Sequence, residues 1–442
     1  MASILVVAHG HPDMNVGGGE KAAYDEFTEL SRGARGHDCV FLFPRPVEHA
    51  AAAGGRWLLP YAGGRNELSF ALATIGAGAY SVFDDRWELP AALRSELAAL
   101  VERVRPSVVH FHHYYQVSID LIVHLRALLP EATFVMTLHD YKAVCPTGYL
   151  LKSEALGLAN HSRRCLGPTP DGCFTCTRAD TARLRRRVHG YEQMFDSLDL
   201  VVTPNGFLGE RFAAAFSRLP PVVHLDYGYA TCATSADAPE ATTGLERRFG
   251  FFGRAIPEKG LDSLLTAYAL MTNRGLRLHI SSPGITAQSV ADSHPELCGP
   301  MAAGLLTLAG DDRPADTRRR IPSLGWIVVP SIWWENSPLV IQEAFALGRP
   351  VICAAGDALA EKVADGVNGL TYTVGDSEEL AVRLAEATDR DTWNRMRAGV
   401  IAPQPIAAHC DELERIYGMA VPGLNRGDGT DPIPEEGDSK WC

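Results

Sequence analysis

The sequence predicts an α/β protein built from two Rossmann-like domains. Three observations carry this. Short apolar, β-branched runs such as Ser3–Ala8, Thr133–Leu138, Leu200–Thr203 and Ile327–Val329 recur between helical stretches, the pattern of buried parallel strands. Twice a strand runs through a glycine-bearing loop into a helix, at H-G-H-P-D-M-N-V-G-G-G-E and at G-R-A-I-P-E-K-G. The 442 residues are enough for two such units. Between them residues 230–246, rich in Ala, Thr, Asp and Pro and without periodicity, read as a linker. The expected organisation is an N-terminal domain over 1–229, a C-terminal domain over 247–405, a helix over 406–421, and a disordered acidic tail over 422–442.

Composition narrows the function. With 46% hydrophobic and 21% charged residues the chain is ordinary globular protein. A net charge of −12 argues against nucleic acid as the main partner, which would require a basic excess. No apolar run approaches the roughly 20 residues of a membrane span. The first residues lack a basic leader and read as a strand, so a cytoplasmic location is expected. In that compartment the ten cysteines are thiols or metal ligands rather than disulfides. Abundant Ala, Arg and Gly match a GC-rich bacterial genome. The basic run Arg178–Arg187 would suit peripheral contact with anionic lipid at the inner membrane face, although a solvated helix face accounts for it as well.

In the first half, the glycine-rich loop leads to a helix from about Glu20 to Arg35. The loop does not follow G-x-G-x-x-G, which disfavours a dinucleotide oxidoreductase. Gly18 and Gly19 would let backbone approach a ligand closely. Cys39–Phe43 is the second strand, and residues 44–90 receive no assignment. A helix over Ala91–Val104 precedes a strand over Ser107–Phe111 that ends in H-F-H-H. A helix over Ser118–Leu129 precedes the strand ending in His139-Asp140. Polar residues at the carboxyl ends of parallel strands are where open α/β sheets bind ligands. For His110, His112 and His113 a satisfied structural role weighs at least as much as ligand contact. An insertion over about 142–178 carries Cys145, Cys165, Cys173 and Cys176 as C-x19-C-x7-C-x2-C. Four soft ligands with one tight pair suit a structural zinc site, with reduced thiols or a disulfide as alternatives.

In the second half, Arg254 and Lys259 flank the loop after the strand Arg248–Gly253, where two cations would clamp a diphosphate. Strands follow at Arg277–Ser281 and Leu305–Leu308. Then comes W-W-E-N-S-P-L-V-I-Q-E-A-F. Ser337 suits an N-cap and Pro338 the first helical position, with the helix ended by Gly348. Glu335 precedes that helix and Glu343 lies in its second turn. Unpaired N–H groups between them would favour an anion, so the implied ligand is sugar–diphosphate–ribose.

This stretch resembles the family-4 retaining glycosyltransferases, whose E-x7-E motif is similar to Glu335 and Glu343. The resemblance implies the GT-B architecture, two Rossmann-like domains facing across a cleft. It implies that Glu335 contacts the donor sugar and Glu343 the nucleotide ribose, with Asn336, Ser337, Pro338 and Leu339 beside the donor. Arg254 and Lys259 match the family's G-R-x4-K-G diphosphate motif. Gly18, Gly19 and Glu20 are similar to its G-G-x-E stretch, and T-L-H-D places His139 at the donor sugar and acceptor approach. The helix near the C-terminus would cross back onto the first domain. The implied reaction moves a sugar from a UDP- or GDP-sugar to a hydroxyl of a glycan, glycolipid or small molecule, with retention and without a catalytic divalent metal. Gly356-Asp357 departs from the family's Gly-Gly pair ahead of Glu361. A sugar-nucleotide epimerase, a phosphorylase and a non-catalytic subunit stay open as alternatives.

Overall fold

The computed structural model describes residues 2–14, 17–32, 35–46, 56–61, 66–72, 83–152, 163–168, 173, 176–230, 243–310 and 314–420. The chain builds two sheets. The first contains β1 (Ser3–Ala8), β2 (Asp38–Pro46), β3 (Leu58–Pro60), β4 (Glu67–Leu72), β5 (Val108–His112), β6 (Thr133–Thr137), β7 (Leu200–Thr203) and β8 (Val222–His224), in the order β3-β4-β2-β1-β5-β6-β7-β8. Only β3 runs antiparallel to its neighbour. The second contains β9 (Arg248–Phe252), β10 (Arg277–Ser281), β11 (Leu306–Ala309), β12 (Trp326–Val329), β13 (Val351–Ala354) and β14 (Gly369–Tyr372), all parallel, in the order β11-β10-β9-β12-β13-β14. In both sheets the strand order reverses at the first strand. β1 lies between β2 and β5, and β9 between β10 and β12. Beyond the carboxyl ends of such neighbours lies the crevice in which doubly wound sheets bind ligands.

Strand alternation explains the two-sided core. Leu5 and Val7 face one cluster with Leu93 and Leu97 of helix α1 (Ala91–Val104) and Ile122 of helix α2 (Ile119–Leu128). Ile4, Val6 and Ala8 face the other, against Ala23, Phe27 and Leu413. Successive side chains point to opposite faces, so a strand covered by helices on both sides must be apolar throughout. The structure places two strands, β3 and β4, in the stretch left without assignment. β4 pairs with β2 through Phe41↔Glu67 to Pro46↔Leu72. Proline and glycine around these short runs mask the strand pattern. The helix expected over Glu20–Arg35 spans Gly18–Leu30 instead.

The basic run is not a solvated face throughout. Arg187 is buried and donates to the carbonyls of Lys142, Ala143 and Phe83, which satisfy its charge without water. Among the described residues no helix is long and apolar enough to cross a membrane. Most of the proposed linker and the whole stretch 421–442 lie outside the described residues.

The helix Ile406–Ala420 packs on the first sheet through Leu413, Ile416 and Tyr417. Arg35 and His37 reach Glu414, each at 2.9 Å. His409 Nε2 meets Glu26 Oε1 at 3.0 Å, and Glu26 Oε2 lies 3.1 Å from His112 Nε2 and 3.7 Å from His110 Nδ1. All four side chains are buried. Burial opposes the Glu26 charge, but His112 and His409 outweigh it and hold the carboxyl well below its ordinary 4.5. Burial likewise opposes the His409 charge, and Glu26 reverses that, raising the imidazole above 6.5. The Glu26 contribution is full above 4.5 and fades as pH falls through its lowered value. The His409 contribution is full below 6.5 and fades as pH rises through its raised value. Glu26→Gln should cost about 3–5 kcal/mol near pH 5.5 and less at about pH 9 by chemical denaturation, because it strands a buried cation. A loss that is the same at both pH values would contradict this pairing.

Candidate functional site

A cavity of about 990 Å³ opens where the carboxyl ends of the two sheets meet. Its walls come from both halves of the chain. One side contributes His9 after β1, Gly17–Gly19, His113 and Gln116 after β5, and His139 and Asp140 after β6. The other contributes Gly253 and Arg254 after β9, Ser281 at the end of β10, and Trp333, Val340 and Glu343. Of the residues nominated from sequence, Gly18, Gly19, His139, Arg254 and Glu343 line this one cavity. Lys259, Glu335, Asn336, Ser337, Pro338 and Leu339 are not among its lining residues.

Two helix starts meet here. The glycine helix begins at Gly18 with Gly17 as N-cap, and the later helix, Leu339–Ala346, has Pro338 as N-cap. Neither start has a side-chain cap. A Cβ on Gly18 would lie 3.7 Å from the Leu339 side chain, so the two starts are in close approach. A Cβ on Gly19 would stand 3.1 Å from His9 and 3.2 Å from His139, which glycine avoids. The expectation that Ser337 caps its helix fails. The helix begins later than expected, at Leu339 with Pro338 as its N-cap, and the Ser337 hydroxyl donates to Asp226 Oδ1 at 2.7 Å.

Lys259 and Glu335 are brought together rather than set apart. Lys259 Nζ donates to Glu335 Oε1 at 2.7 Å, and Ser331 Oγ donates to the same oxygen at 2.5 Å. Burial pushes the Glu335 carboxyl up, yet Lys259 and these hydrogen bonds win and hold it below its ordinary value. Gly260, at φ 67°, lets the Lys259 loop pass against Pro330. A Cβ there would meet the Pro330 carbonyl oxygen at 1.9 Å. Glu343 has the opposite environment. It is buried, and burial pushes its carboxyl up to about 7 despite Arg318 and Lys21 nearby.

His139 sits in a buried chain of polar groups. Asn336 Nδ2 donates to Tyr227 Oη at 3.2 Å. Tyr227 Oη lies 2.6 Å from His139 Nδ1, and His139 Nε2 lies 3.2 Å from His112 Nδ1. Both ring nitrogens are therefore engaged within the protein. Burial, with His112, His113 and His9 around it, holds His139 well below 6.5, so the ring is neutral near neutral pH. His9 pairs with Glu20 at 3.1 Å, and His113 with Asp140 at 3.0 Å. His113, Gln116 and Ser118 all hold positive φ, 118°, 60° and 80°, so the loop after β5 stores strain at the cavity rim.

Sequence reasoning passed over the contacts that join the halves. The Asp226 carboxylate accepts from Ser337, from Gln342 Nε2 at 3.3 Å and from Lys362. Asn205 Nδ2 donates to the Asn336 carbonyl at 2.9 Å. Asp226 and Tyr227 follow β8 directly. They follow a strand as His139 does, a position where open α/β sheets bind ligands, so a signal was present. Glu361 accepts from the amides of Gly206 and Phe207, each at 3.2 Å, and thereby caps the helix Gly206–Ala215 of the other half.

Among the described residues, Glu26, His110 and His112 are the group of three metal-ligating side chains whose ligand atoms lie within 4.8 Å of one another. His110 bonds Tyr417 and Thr137, each at 2.8 Å, so the group reads as an ion-pair network. Cys145, Cys165, Cys173 and Cys176 are all part-exposed, and none is in a disulfide. Burial raises the Cys165 thiol, and Cys145 and Cys176 lie near enough to add to the effect.

The raised Glu343 carboxyl predicts a pH signature. A folded value above the unfolded one means that stability present below 4.5 is lost as pH rises towards 7. The loss is on the order of 3 kcal/mol when complete. Glu343→Gln should match the native protein in melting temperature near pH 5 and exceed it at about pH 8.5. A difference that does not change with pH would show that Glu343 ionises normally.

Residues 246–389 match the family model described as Glycosyl transferases group 1. Curated relatives include the D-inositol 3-phosphate glycosyltransferases of Mycolicibacterium gilvum, 28% identical over 57% of this chain and 58% of the relative, and of Nocardioides sp., 28% identical over 50% and 53%. The chain thus spans a little over half the length of these relatives. Among solved structures, Anabaena Alr3699/HepE in complex with UDP and glucose superposes with a TM-score of 0.60 at 15% identity, covering 94% of this chain and 99% of that one. Sucrose-phosphate synthase from Thermosynechococcus elongatus gives a TM-score of 0.60 at 15% identity over 94% and 98%. The chain has the GT-B fold, and its second half carries the match to the Glycosyl transferases group 1.

Proposed function

We propose that the protein is a glycosyltransferase that moves a sugar from a nucleotide-diphospho-sugar to an acceptor hydroxyl with retention of configuration. One observation carries this reading: two uncapped helix starts and Arg254 open onto a single cavity at the switch points of both sheets. The family match over residues 246–389 supports it.

In this mechanism the diphosphate lies at the start of the helix Leu339–Ala346, against Arg254. Lys259 joins it by rotating out of its pair with Glu335. The ammonium lies 5.0 Å from the Trp333 ring, which lines the cavity, so the distance to travel is short. Glu335, once released, accepts from sugar hydroxyls, and Glu343 accepts from the ribose. The bond between the anomeric carbon and the phosphate oxygen breaks, and negative charge grows on the leaving diphosphate. Arg254, Lys259 and the backbone N–H groups stabilise that charge as it forms, typically the largest contribution to such a rate. The acceptor hydroxyl attacks from the same face and passes its proton to the departing phosphate oxygen. His139, neutral and engaged at both nitrogens, orients the sugar by contact and takes no part in proton transfer.

UDP and UDP-glucose are bound by Anabaena Alr3699/HepE, which puts a UDP-sugar first among donors to test, with a GDP-sugar beside it. The relatives' names put a phosphorylated cyclitol on the acceptor panel. Melting temperature with UDP, GDP, ADP, dTDP and CDP sugars should rise for one base, following ln(1 + [L]/Kd). Glu343→Ala should abolish that rise, and Arg254→Ala should lower turnover roughly 100-fold. Binding without turnover against every acceptor would favour a non-catalytic subunit. Near-native turnover in Arg254→Ala would remove the charge-stabilising role assigned to it.

A further inference from the structure

After Cys145, the described residues Arg164 and Cys165 touch the second half of the chain. Leu151 pairs antiparallel with Arg164, supported by Lys152 N–H to Arg163 O at 2.7 Å and Cys165 N–H to Leu150 O at 2.8 Å. This ribbon folds the chain after Cys145 back so that Cys165 returns towards it. Cys173 and Cys176 belong to one helical turn, in which Thr177 Oγ1 donates to the Cys173 carbonyl at 2.7 Å. Residues three apart on a helix share a face, so both sulfurs project to one side.

The far end of the ribbon is a clamp. Arg164 donates to the carbonyls of Ile332 at 3.1 Å, Trp333 at 3.1 Å and Ala355 at 2.8 Å, and its guanidinium stacks 4.3 Å from the Trp334 ring. Trp334 Nε1 donates to the Cys165 carbonyl at 2.9 Å. The loop so gripped is the one that ends in Glu335. Residues 152–178 carry few apolar side chains, and Leu166 is 61% exposed, so hydrophobic packing supplies little of the order this clamp needs.

We propose that Cys145, Cys165, Cys173 and Cys176 bind one Zn²⁺ as four thiolates, and that this metal fixes the strap by which Arg164 holds the loop before Glu335. Four thiolates complete a tetrahedral shell and leave no open position, so the metal is structural. Among the described residues no three of these sulfurs lie within 4.8 Å of one another. Ligation therefore requires the four sulfurs to close up on one another.

The test is metal analysis of the full chain purified without a histidine tag. About one zinc per chain is expected. Cobalt added in place of zinc should give the visible bands of a tetrahedral thiolate complex. Cys173→Ser with Cys176→Ser should lose the metal, and Cys298→Ser, at an exposed thiol outside the strap, should retain it. Native protein that takes up no more zinc or cobalt than the double variant overturns the proposal. So does a mass lower by two hydrogens, which marks a disulfide. Metal content is read without any sugar transfer, so this result and the glycosyltransferase reading fail separately. The link to Glu335 does rest on that reading. It predicts that the double variant and Arg164→Ala both weaken the nucleotide-sugar melting shift, each by roughly tenfold in affinity. An unchanged shift in the metal-free variant would detach the metal from the donor loop.

Discussion

The Asp226 carboxylate is the point on which the arrangement of the two halves depends. It sits just beyond the last strand of the first sheet and accepts from Ser337, Gln342 and Lys362, all of the second half. The carboxylate is part-exposed, its side chain at 39%, and its side-chain partners Ser337, Gln342 and Lys362 all lie across the cleft. Its backbone carbonyl also meets His409 Nδ1 at 2.9 Å. One residue thus joins both sheets and the helix near the C-terminus. His409 carries the connection on to Glu26, His112, His139 and Tyr227, a polar ring that returns to Asn336 on the facing side.

Two glutamates eight positions apart end in opposite electrostatic states, and the cause is local. Glu335 gains a lysine and a hydroxyl at hydrogen-bond distance, which offset the cost of burial. Glu343 is buried with Arg318 and Lys21 acting only through space, so desolvation prevails and the proton is held to about 7. The reluctant carboxylate, Glu343, lines the cavity, whereas the paired one, Glu335, does not. Hydroxyl donors would favour the ionised form of Glu343.

The walls of the cavity differ in how they are held. Arg254 and the helix starts rest on the ends of regular strands and helices. The rim at His113–Ser118 keeps three non-glycine residues at positive φ, a conformation that persists only where surrounding contacts impose it. Ser118 is wholly buried, and the His113 ring is fixed by Asp140 and by amides of Tyr114 and Tyr115. On the other side the Trp333–Glu335 loop is held from outside by Arg164, an arginine of the opposite half. Regular backbone holds Arg254 and the helix starts, while side-chain clamps hold the Trp333–Glu335 loop.

Local pattern was sufficient for much of this. Apolar β-branched runs marked β1, β6, β7 and β12 because a strand buried on both faces admits little else. Loop position after a strand nominated Gly18, Gly19 and Arg254, and the resemblance carried by T-L-H-D and E-x7-E nominated His139 and Glu343; all five line one cavity. Short strands β3 and β4 escaped, since they are brief and flanked by proline and glycine. The Ser337 cap expected from local pattern does not form because the helix starts only at Leu339, and Lys259 and Glu335, 76 residues apart in sequence, pair with each other. The sequence by itself determined which segments form strands and helices and which chemical groups stand at their ends, because backbone propensity and burial act over a few residues. Only the tertiary structure decided which of those groups are paired, buried or open to the cleft, because desolvation and hydrogen-bond competition depend on neighbours that chain distance does not reveal.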